Sequence, residues 1–161
     1  MEPWTATRTT RRNLLTITYV SDPDGTGKMT VSAAANGFAG NSSAWFNNNA
    51  VLDFAREIAS YPLPEGSKLE ITGGFGSRAN PHAVAEEHVG LRVGPVGIKG
   101  QIGIHVHLAT PTWEGMRPES AHDVRLQLLT TYQRLEHFGE HLSRVVRGEL
   151  SVATIGGEVL I

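Results

Sequence analysis

Apolar and polar residues alternate along most of the chain, with the period of two that is typical of half-buried β-strands. Short runs rich in glycine, proline and aspartate separate these segments, and strands joined by short turns usually pair as antiparallel neighbours. The pattern therefore predicts antiparallel β-structure. The predicted strands cover residues 15–20, 29–33, 44–46, 68–72, 89–93, 102–108, 124–128 and 150–155, with a further candidate at 159–161.

Two segments instead place apolar residues three and four positions apart, as one face of an amphipathic helix does. These predicted helices cover residues 49–60 and 131–147, and asparagines and threonines at their starts supply N-caps. We predict that both pack on the sheet, in one α+β domain with the order β-β-(β)-α-β-β-β-β-α-β. The helix residues expected to face the core are Phe54, Ile58, Leu135, Phe138 and Leu142.

A weak internal repeat accompanies this order. In both halves a helix is followed by a glycine, a strand and a pair of glycines, which a duplicated unit would produce, as would any two helix-then-strand units. The matching residues are Phe54, Ile58, Gly66, Leu69 and glycines 73–74 in the first half, and Phe138, Leu142, Gly148, Leu150 and glycines 156–157 in the second.

Length and charge indicate a single domain and argue against several classes of partner. The 161 residues suffice for one domain, which we place at 14–161 after a polar leader at 1–13. The 14 basic and 16 acidic residues leave a formal charge of −2, which argues against nucleic-acid binding. No apolar run reaches the roughly 20 residues of a membrane-spanning helix, and the leader lacks the apolar core of a secretory signal. We therefore expect a cytoplasmic protein that does not bind membranes; no sequence feature specifies its oligomeric state.

The pair His105 and His107 offers the strongest chemical alternative. Residues two apart on a strand point to the same face, so both imidazoles could bind one divalent transition metal, with Glu114 and His122 completing the ligand set. The pattern resembles the first metal motif of cupins, and it makes a metal-binding protein or metal-dependent enzyme the alternative function. No second cupin motif follows, however, and the polar face of an amphipathic strand beside Gln101 accounts for the same two histidines.

Residues 137–141 match the H-x-x-E-H signature of inverted zinc peptidases. His137 and His141 stand one helical turn apart, but the motif contains Gly139, and few residues follow it to supply the third protein ligand. We interpret both histidines as solvent-exposed residues on the flank of the second helix.

Two predicted loops, at residues 76–87 and 111–120, are longer than a hairpin needs. Long loops on a rigid sheet commonly carry function, and Trp, Met and Arg are enriched at the centre of protein interfaces. We therefore expect these loops to contact a partner protein. The loop residues that suit this role are Arg78, Trp113, Met116 and Arg117.

We interpret the remaining candidate residues as structural, and several common catalytic motifs are absent from the sequence. Glu86 and Glu87 are expected to face solvent in the first loop, and Trp45 with Phe46 to cover the core before the first helix. We find no G-x-S-x-G elbow, no phosphate-binding loop and no cysteine nucleophile in the sequence. These observations predict a non-enzymatic protein-binding domain with no catalytic residue and no cofactor.

Several short motifs carry a family resemblance that covers the chain from about Leu15 onward. The chain resembles the WapI-type immunity proteins of bacteria, which neutralise the toxin domain of a contact-delivered polymorphic toxin. The resemblance implies a binding protein whose partner is a toxin domain, and it transfers no catalytic residue. The motifs are GFAG at 37–40, AWF at 44–46, YPL at 61–63, GQIG at 100–103, and the run Tyr132, Leu135, Phe138, Leu142 and Gly148.

Overall fold

The computed structural model describes residues 13–63, 69–76, 79–80, 83–97 and 101–156. Within these ranges the strands and helices form the predicted α+β fold, and a short 3₁₀ helix (Pro118–Ser120) lies in the second long loop. The strands are β1 (Leu14–Ser21), β2 (Thr26–Ala35), β3 (Phe38–Asn47), β4 (Leu69–Gly76), β5 (Val84–Val96), β6 (Gln101–Ala109), β7 (Asp123–Thr130) and β8 (Ala153–Gly156), and the helices are α1 (Asn48–Ile58) and α2 (Tyr132–Val146).

The predicted antiparallel pairing is confirmed, and the strands divide between two four-stranded sheets. The first sheet has the order β3-β2-β1-β8 and the second β4-β5-β6-β7. β4 follows α1 yet joins β5 of the second half, whereas β8 follows α2 and joins β1 of the first. The described chain therefore runs twice through the order β-β-β-α-β, and the two units exchange their last strands.

Equivalent positions in the two units stand at one constant separation along the chain. Three residues of the first unit each have a partner with the same structural role in the second unit. The roles compared are the cap of the helix, a buried aromatic residue of the helix and a buried residue of the last strand. Leu150, which the sequence comparison matches to Leu69, precedes β8, so Ala153 is the true equivalent of Leu69. The pairs are Asn47 with Thr131, Phe54 with Phe138, and Ile71 with Ile155.

The core is built from the inner faces of both sheets and from one stripe of each helix. α1 packs against β3 and β4, α2 packs against β1 and β8, and the two helices pack against each other. β3 contacts all four strands of the second sheet, so the first sheet lies across the second along this strand. The five predicted helix core residues are all buried: Phe54, Ile58, Leu135, Phe138 and Leu142.

The strand boundaries depart from the sequence prediction in β3 and β5. β3 is a complete ten-residue strand, although the sequence predicts a bend followed by a short segment. β5 begins at Val84, inside the predicted first loop, and it continues through Gly94 and Pro95, where the sequence predicts a turn. Glycine and proline signal turns, but pairing with β6 extends the strand through both residues.

Trp45 and Phe46 do not both cover the core. They are neighbours on one strand, so their side chains point to opposite faces. Phe46 is buried as predicted, whereas Trp45 lies on the outer face and is 56% exposed. The prediction is therefore correct for Phe46 and wrong for Trp45.

Only the last residue of the predicted leader, Asn13, is among the described residues. Asn13 is buried, and its Oδ1 accepts a hydrogen bond from the Asn36 N–H at 3.0 Å. Residues 1–12 and the candidate strand at 159–161 lie outside the described residues. Neither described helix has the length and apolar character needed to cross a membrane.

Candidate functional site

The two long loops leave the second sheet at the same end. Because neighbouring strands are antiparallel, the end of β4, the start of β5, the end of β6 and the start of β7 all lie at this end. The chain therefore leaves β4 and β6 at the same end of the sheet. Arg78, the partner-contact residue predicted in the first loop, lies outside the described residues.

The loop after β6 is fixed to the sheet by hydrogen bonds. The backbone N–H of Thr112 donates to Glu86 Oε2 at 3.2 Å, and its hydroxyl donates to the same carboxylate. At the base of the loop, Thr110 N–H donates to the carbonyl oxygen of His122 at 2.9 Å, and His122 N–H returns a bond to the Thr110 hydroxyl. The loop is thereby held at its base and again two residues further along, at Thr112.

The predicted contact residues in this loop differ in exposure. Trp113, directly after the anchoring threonine, is 66% exposed, and Met116 is half-buried. Arg117 is exposed and its guanidinium lies 3.6 Å from the Glu119 carboxylate. The structure thus presents a tryptophan on an ordered loop, with methionine and arginine in the same segment.

Glu86 also contacts a buried histidine. The pairing of β4 with β5 shifts between Gly73 and Gly74, and His88 is the residue that this β-bulge leaves without a paired partner. His88 is 3% exposed, its Nε2 lies 2.5 Å from Glu86 Oε2, and its ring meets the Phe75 ring edge-on with centroids 4.5 Å apart. Phe75 itself is 51% exposed. The bulge therefore links an exposed aromatic residue to the carboxylate that anchors the Trp113 loop.

The hydrogen bonds to Glu86 keep it ionised. The Thr112 side chain and then His88 hold the pKa of the Glu86 carboxyl below its ordinary value. Hydrogen bonds to the charged form stabilise that form. Glu86 therefore carries a negative charge at neutral pH.

A network of charged side chains crosses the outer face of the second sheet. Glu87 is its centre: it pairs with both terminal nitrogens of Arg92 at 3.0 and 2.9 Å, and its Oε1 lies 3.1 Å from His107 Nδ1. The other ring nitrogen of His107 lies 3.2 Å from Asp123 Oδ2. The remaining ion pairs join Arg92 to Glu70 at 3.0 Å and Arg125 to Asp123 at 3.8 Å.

Gly90 provides the space for this arrangement. A Cβ at position 90 would overlap Glu87 Oε1 and would lie 2.9 Å from Arg92 Nη1. The Glu87 carboxylate can therefore occupy this position only because residue 90 is a glycine. The hydrogen bonds from Arg92 hold the pKa of Glu87 below its ordinary value. Glu87 is therefore a permanently charged centre of the network at neutral pH.

The residues considered as metal ligands lie in different surroundings. His105 and His107 share the outer face of β6, as their spacing predicts, and they line an open depression of about 420 Å³ together with Arg92. Glu114 is exposed in the loop, and His122 is exposed just before β7. Across the part of the chain that the structure describes, no three histidine, aspartate or glutamate side chains are placed to hold a metal ion. Both ring nitrogens of His107 face carboxylates instead.

Sequence reasoning misses most of this network. It treats Glu86 and Glu87 as solvent-facing, whereas the first anchors the loop and the second is the centre of the ion-pair network. Alternation does place Arg92 and Arg125 on the outward face of their strands, which is the signal available in the sequence. Their partners follow only from strand register and from the bulge at His88.

Comparisons of the chain with protein-family models, curated proteins and solved structures find no match. The resemblance to WapI-type immunity proteins therefore depends on the sequence motifs alone and stays a prediction.

Proposed function

We propose that this chain is a non-enzymatic protein-binding domain of the immunity type, which acts in the cytoplasm by covering a toxin domain. The observation that carries the proposal is Trp113, which is 66% exposed on a loop held to β5 by the Glu86 carboxylate. The sequence resemblance supplies the class of partner.

An exposed tryptophan on a fixed loop suits a binding anchor. Tryptophan buries a large area at little cost in side-chain entropy, and it is among the residues most enriched at the energetic centre of interfaces. Because the loop is ordered by the bonds of Thr110 and Thr112, binding would not have to supply that order. Met116 and Arg117 add two further residue types that interface centres favour.

The charge state of the two carboxylates, Glu86 and Glu87, argues against either of them as a general acid. A general acid at neutral pH needs a carboxyl pKa raised towards 7. The pKa values of Glu86 and Glu87 are both lowered, by hydrogen bonds from Thr112 and Arg92 respectively. Fixed charges are typical of the polar part of an interface, where they set orientation and specificity.

Site-specific crosslinking tests the proposal. A photo-crosslinking benzoylphenylalanine is placed at position 113 in one variant and at position 45 in another, since Trp113 and Trp45 are both exposed, the first in the loop after β6 and the second on β3 of the other sheet. In the organism that encodes the chain, we expect position 113 to capture one protein that position 45 does not. We further expect that protein to stop growth when expressed alone and to be neutralised by co-expression of this chain. Failure of position 113 to capture any protein contradicts the binding function, and a captured protein that is harmless alone contradicts the immunity function.

A further inference from the structure

We propose that Phe75 and Trp113 flank one interaction surface that accepts cationic side chains of the partner, arginine above all. The inference rests on the proposed function and adds the chemistry of the partner. It depends on the contacts that join the two aromatic residues and on the charge distribution around them.

An unbroken series of contacts joins Phe75 to the Trp113 loop. The Phe75 ring lies against His88 with centroids 4.5 Å apart, and His88 Nε2 lies 2.5 Å from the Glu86 carboxylate. The other end of this series is Thr112, which donates two hydrogen bonds to Glu86 and directly precedes Trp113. Phe75 on β4 and Trp113 in the loop after β6 are therefore joined through one series of contacts, and the Glu86 carboxylate is a member of that series.

The Glu86 carboxylate has an acceptor site left for a partner. A carboxylate offers about four lone-pair sites. Three are used within the chain, by the backbone and hydroxyl of Thr112 and by His88. The side chain is 31% exposed, so the remaining site can be reached from solvent. Its position is already fixed, which lowers the entropy cost of pairing it with a cation.

The surroundings of this carboxylate are acidic even though the whole chain is nearly neutral. Among the described residues, Glu86 and the Trp113 loop together carry three carboxylates, Glu86, Glu114 and Glu119, against one guanidinium group, that of Arg117, a local excess of two negative charges.

The first sheet provides the contrast. Lys28 is the single charged residue in β1, β2, β3 and β8, and it pairs in register with Trp45 on the outer face. The chain thus exposes one tryptophan among carboxylates and another beside an ammonium group. A cation is attracted to the first environment and repelled by the second.

Arginine fits the aromatic and acidic surface best. A guanidinium stacks on aromatic faces and pairs with carboxylates through its planar set of N–H donors, whereas an ammonium makes only point contacts. Phe75 and Trp113 offer ring faces, and Glu86 offers the carboxylate between them. A partner that presents arginine side chains would satisfy both features at once.

The surface can be tested with a small probe, before any partner is known. Nα-acetyl-arginine amide is titrated into ¹⁵N-labelled full-length protein at low salt, and the indole N–H signals of Trp113 and Trp45 are followed. We expect a saturable shift at Trp113 in the millimolar range, little shift at Trp45, and no effect of Nα-acetyl-glutamate amide at Trp113. Phe75→Ala and Glu114→Gln, which leave the Thr112–Glu86 anchor intact, should each weaken the arginine effect about threefold.

The outcomes separate the inference from the proposed function. Equal shifts of both indole signals, or no shift of Trp113 at any probe concentration, would overturn the cationic partner. If Trp113 still captures a toxin domain by crosslinking in that case, the binding function stands with a partner of different chemistry. If arginine shifts Trp113 but crosslinking captures no protein, the acidic aromatic surface is confirmed and the proposed function is wrong.

Discussion

Gly139 of α2 lies so close to Ala55 of α1 that a Cβ on Gly139 would be 2.5 Å from the Ala55 carbonyl oxygen. The same Cβ would be 3.0 Å from that of Ala59. Ala55 and Gly139 occupy equivalent positions in the two units, so the helices meet where each unit presents a small residue. This contact explains a glycine inside a helix, which the sequence motif at 137–141 leaves unexplained.

Gly139→Ala is expected to destabilise the protein. Alanine favours the helix by about 1 kcal/mol, but the clash with backbone atoms of α1 forces the helices apart and costs about 2 to 3 kcal/mol. We expect a net loss of about 1 to 2 kcal/mol in the free energy of unfolding, measured by urea denaturation. Glu136→Ala, at an exposed position of the same helix, is the control and should change stability by less than about 0.5 kcal/mol. A stabilised Gly139→Ala variant would show that the helices can separate freely.

Thr130→Val is expected to stabilise the protein. The Thr130 hydroxyl is buried at the end of β7 and has no hydrogen-bond partner among the described residues. Replacing an unsatisfied buried hydroxyl with a methyl group of similar size removes its desolvation cost, so the free energy of unfolding should rise by about 1 kcal/mol. The neighbouring change Thr131→Val should have the opposite sign and lose about 1 kcal/mol, because that side chain caps α2. Equal effects at the two positions would contradict this interpretation.

Phe138→Ala tests the core beneath α2. The ring is buried, and its removal should lower the free energy of unfolding by about 3 to 5 kcal/mol. Phe54→Ala, at the equivalent position of α1, should cost a similar amount. Thermal and urea unfolding measure both variants. A loss below about half a kcal/mol at Phe138 would place that face in solvent.

The ion-pair network should make stability sensitive to acid. Because Arg92 lowers the folded-state pKa of Glu87 below its ordinary 4.5, the pair stabilises the fold above about pH 4.5 and loses this contribution as the pH falls through the lowered value. In Arg92→Gln the folded-state pKa returns towards 4.5, so stability should fall less steeply below that pH. Urea unfolding across the acid range measures the slopes, with Arg56→Gln on the exposed face of α1 as the control. Parallel slopes for wild type and Arg92→Gln would remove Glu87 from this role.

Trp113→Ala should separate binding from stability. The side chain is largely exposed, so its loss should leave the melting temperature nearly unchanged. Affinity for the captured partner should fall by about 2 kcal/mol or more, roughly thirtyfold, when titrated by calorimetry. Trp45→Ala is the matched control and should bind as the wild type does. Equal affinities of Trp113→Ala and wild type would exclude Trp113 from the interface.

Local patterns predict the elements of this fold well because strand and helix periods depend on neighbouring residues. Alternation along a strand places His105 and His107 on one outer face. The same alternation, applied to Trp45 and Phe46, places Trp45 outside the core. Alternation does not predict which side chain each outward-facing residue will bond to. The bond between Thr112 and Glu86 joins a residue of the loop after β6 to a residue of β5, and the bulge at His88 changes which residues of β5 face which way.

The exchange of last strands sets the order in which the two sheets can be completed during synthesis. All four strands of the second sheet lie in one continuous stretch, from Leu69 to Thr130, so this sheet can form once that stretch has left the ribosome. The first sheet has three strands early in the chain and must wait for β8, whose residue Gly156 pairs with Leu14. Until then, the edge of β1 stays open. The sheet that carries the acidic aromatic surface can therefore be assembled before β8 pairs with β1 and completes the first sheet.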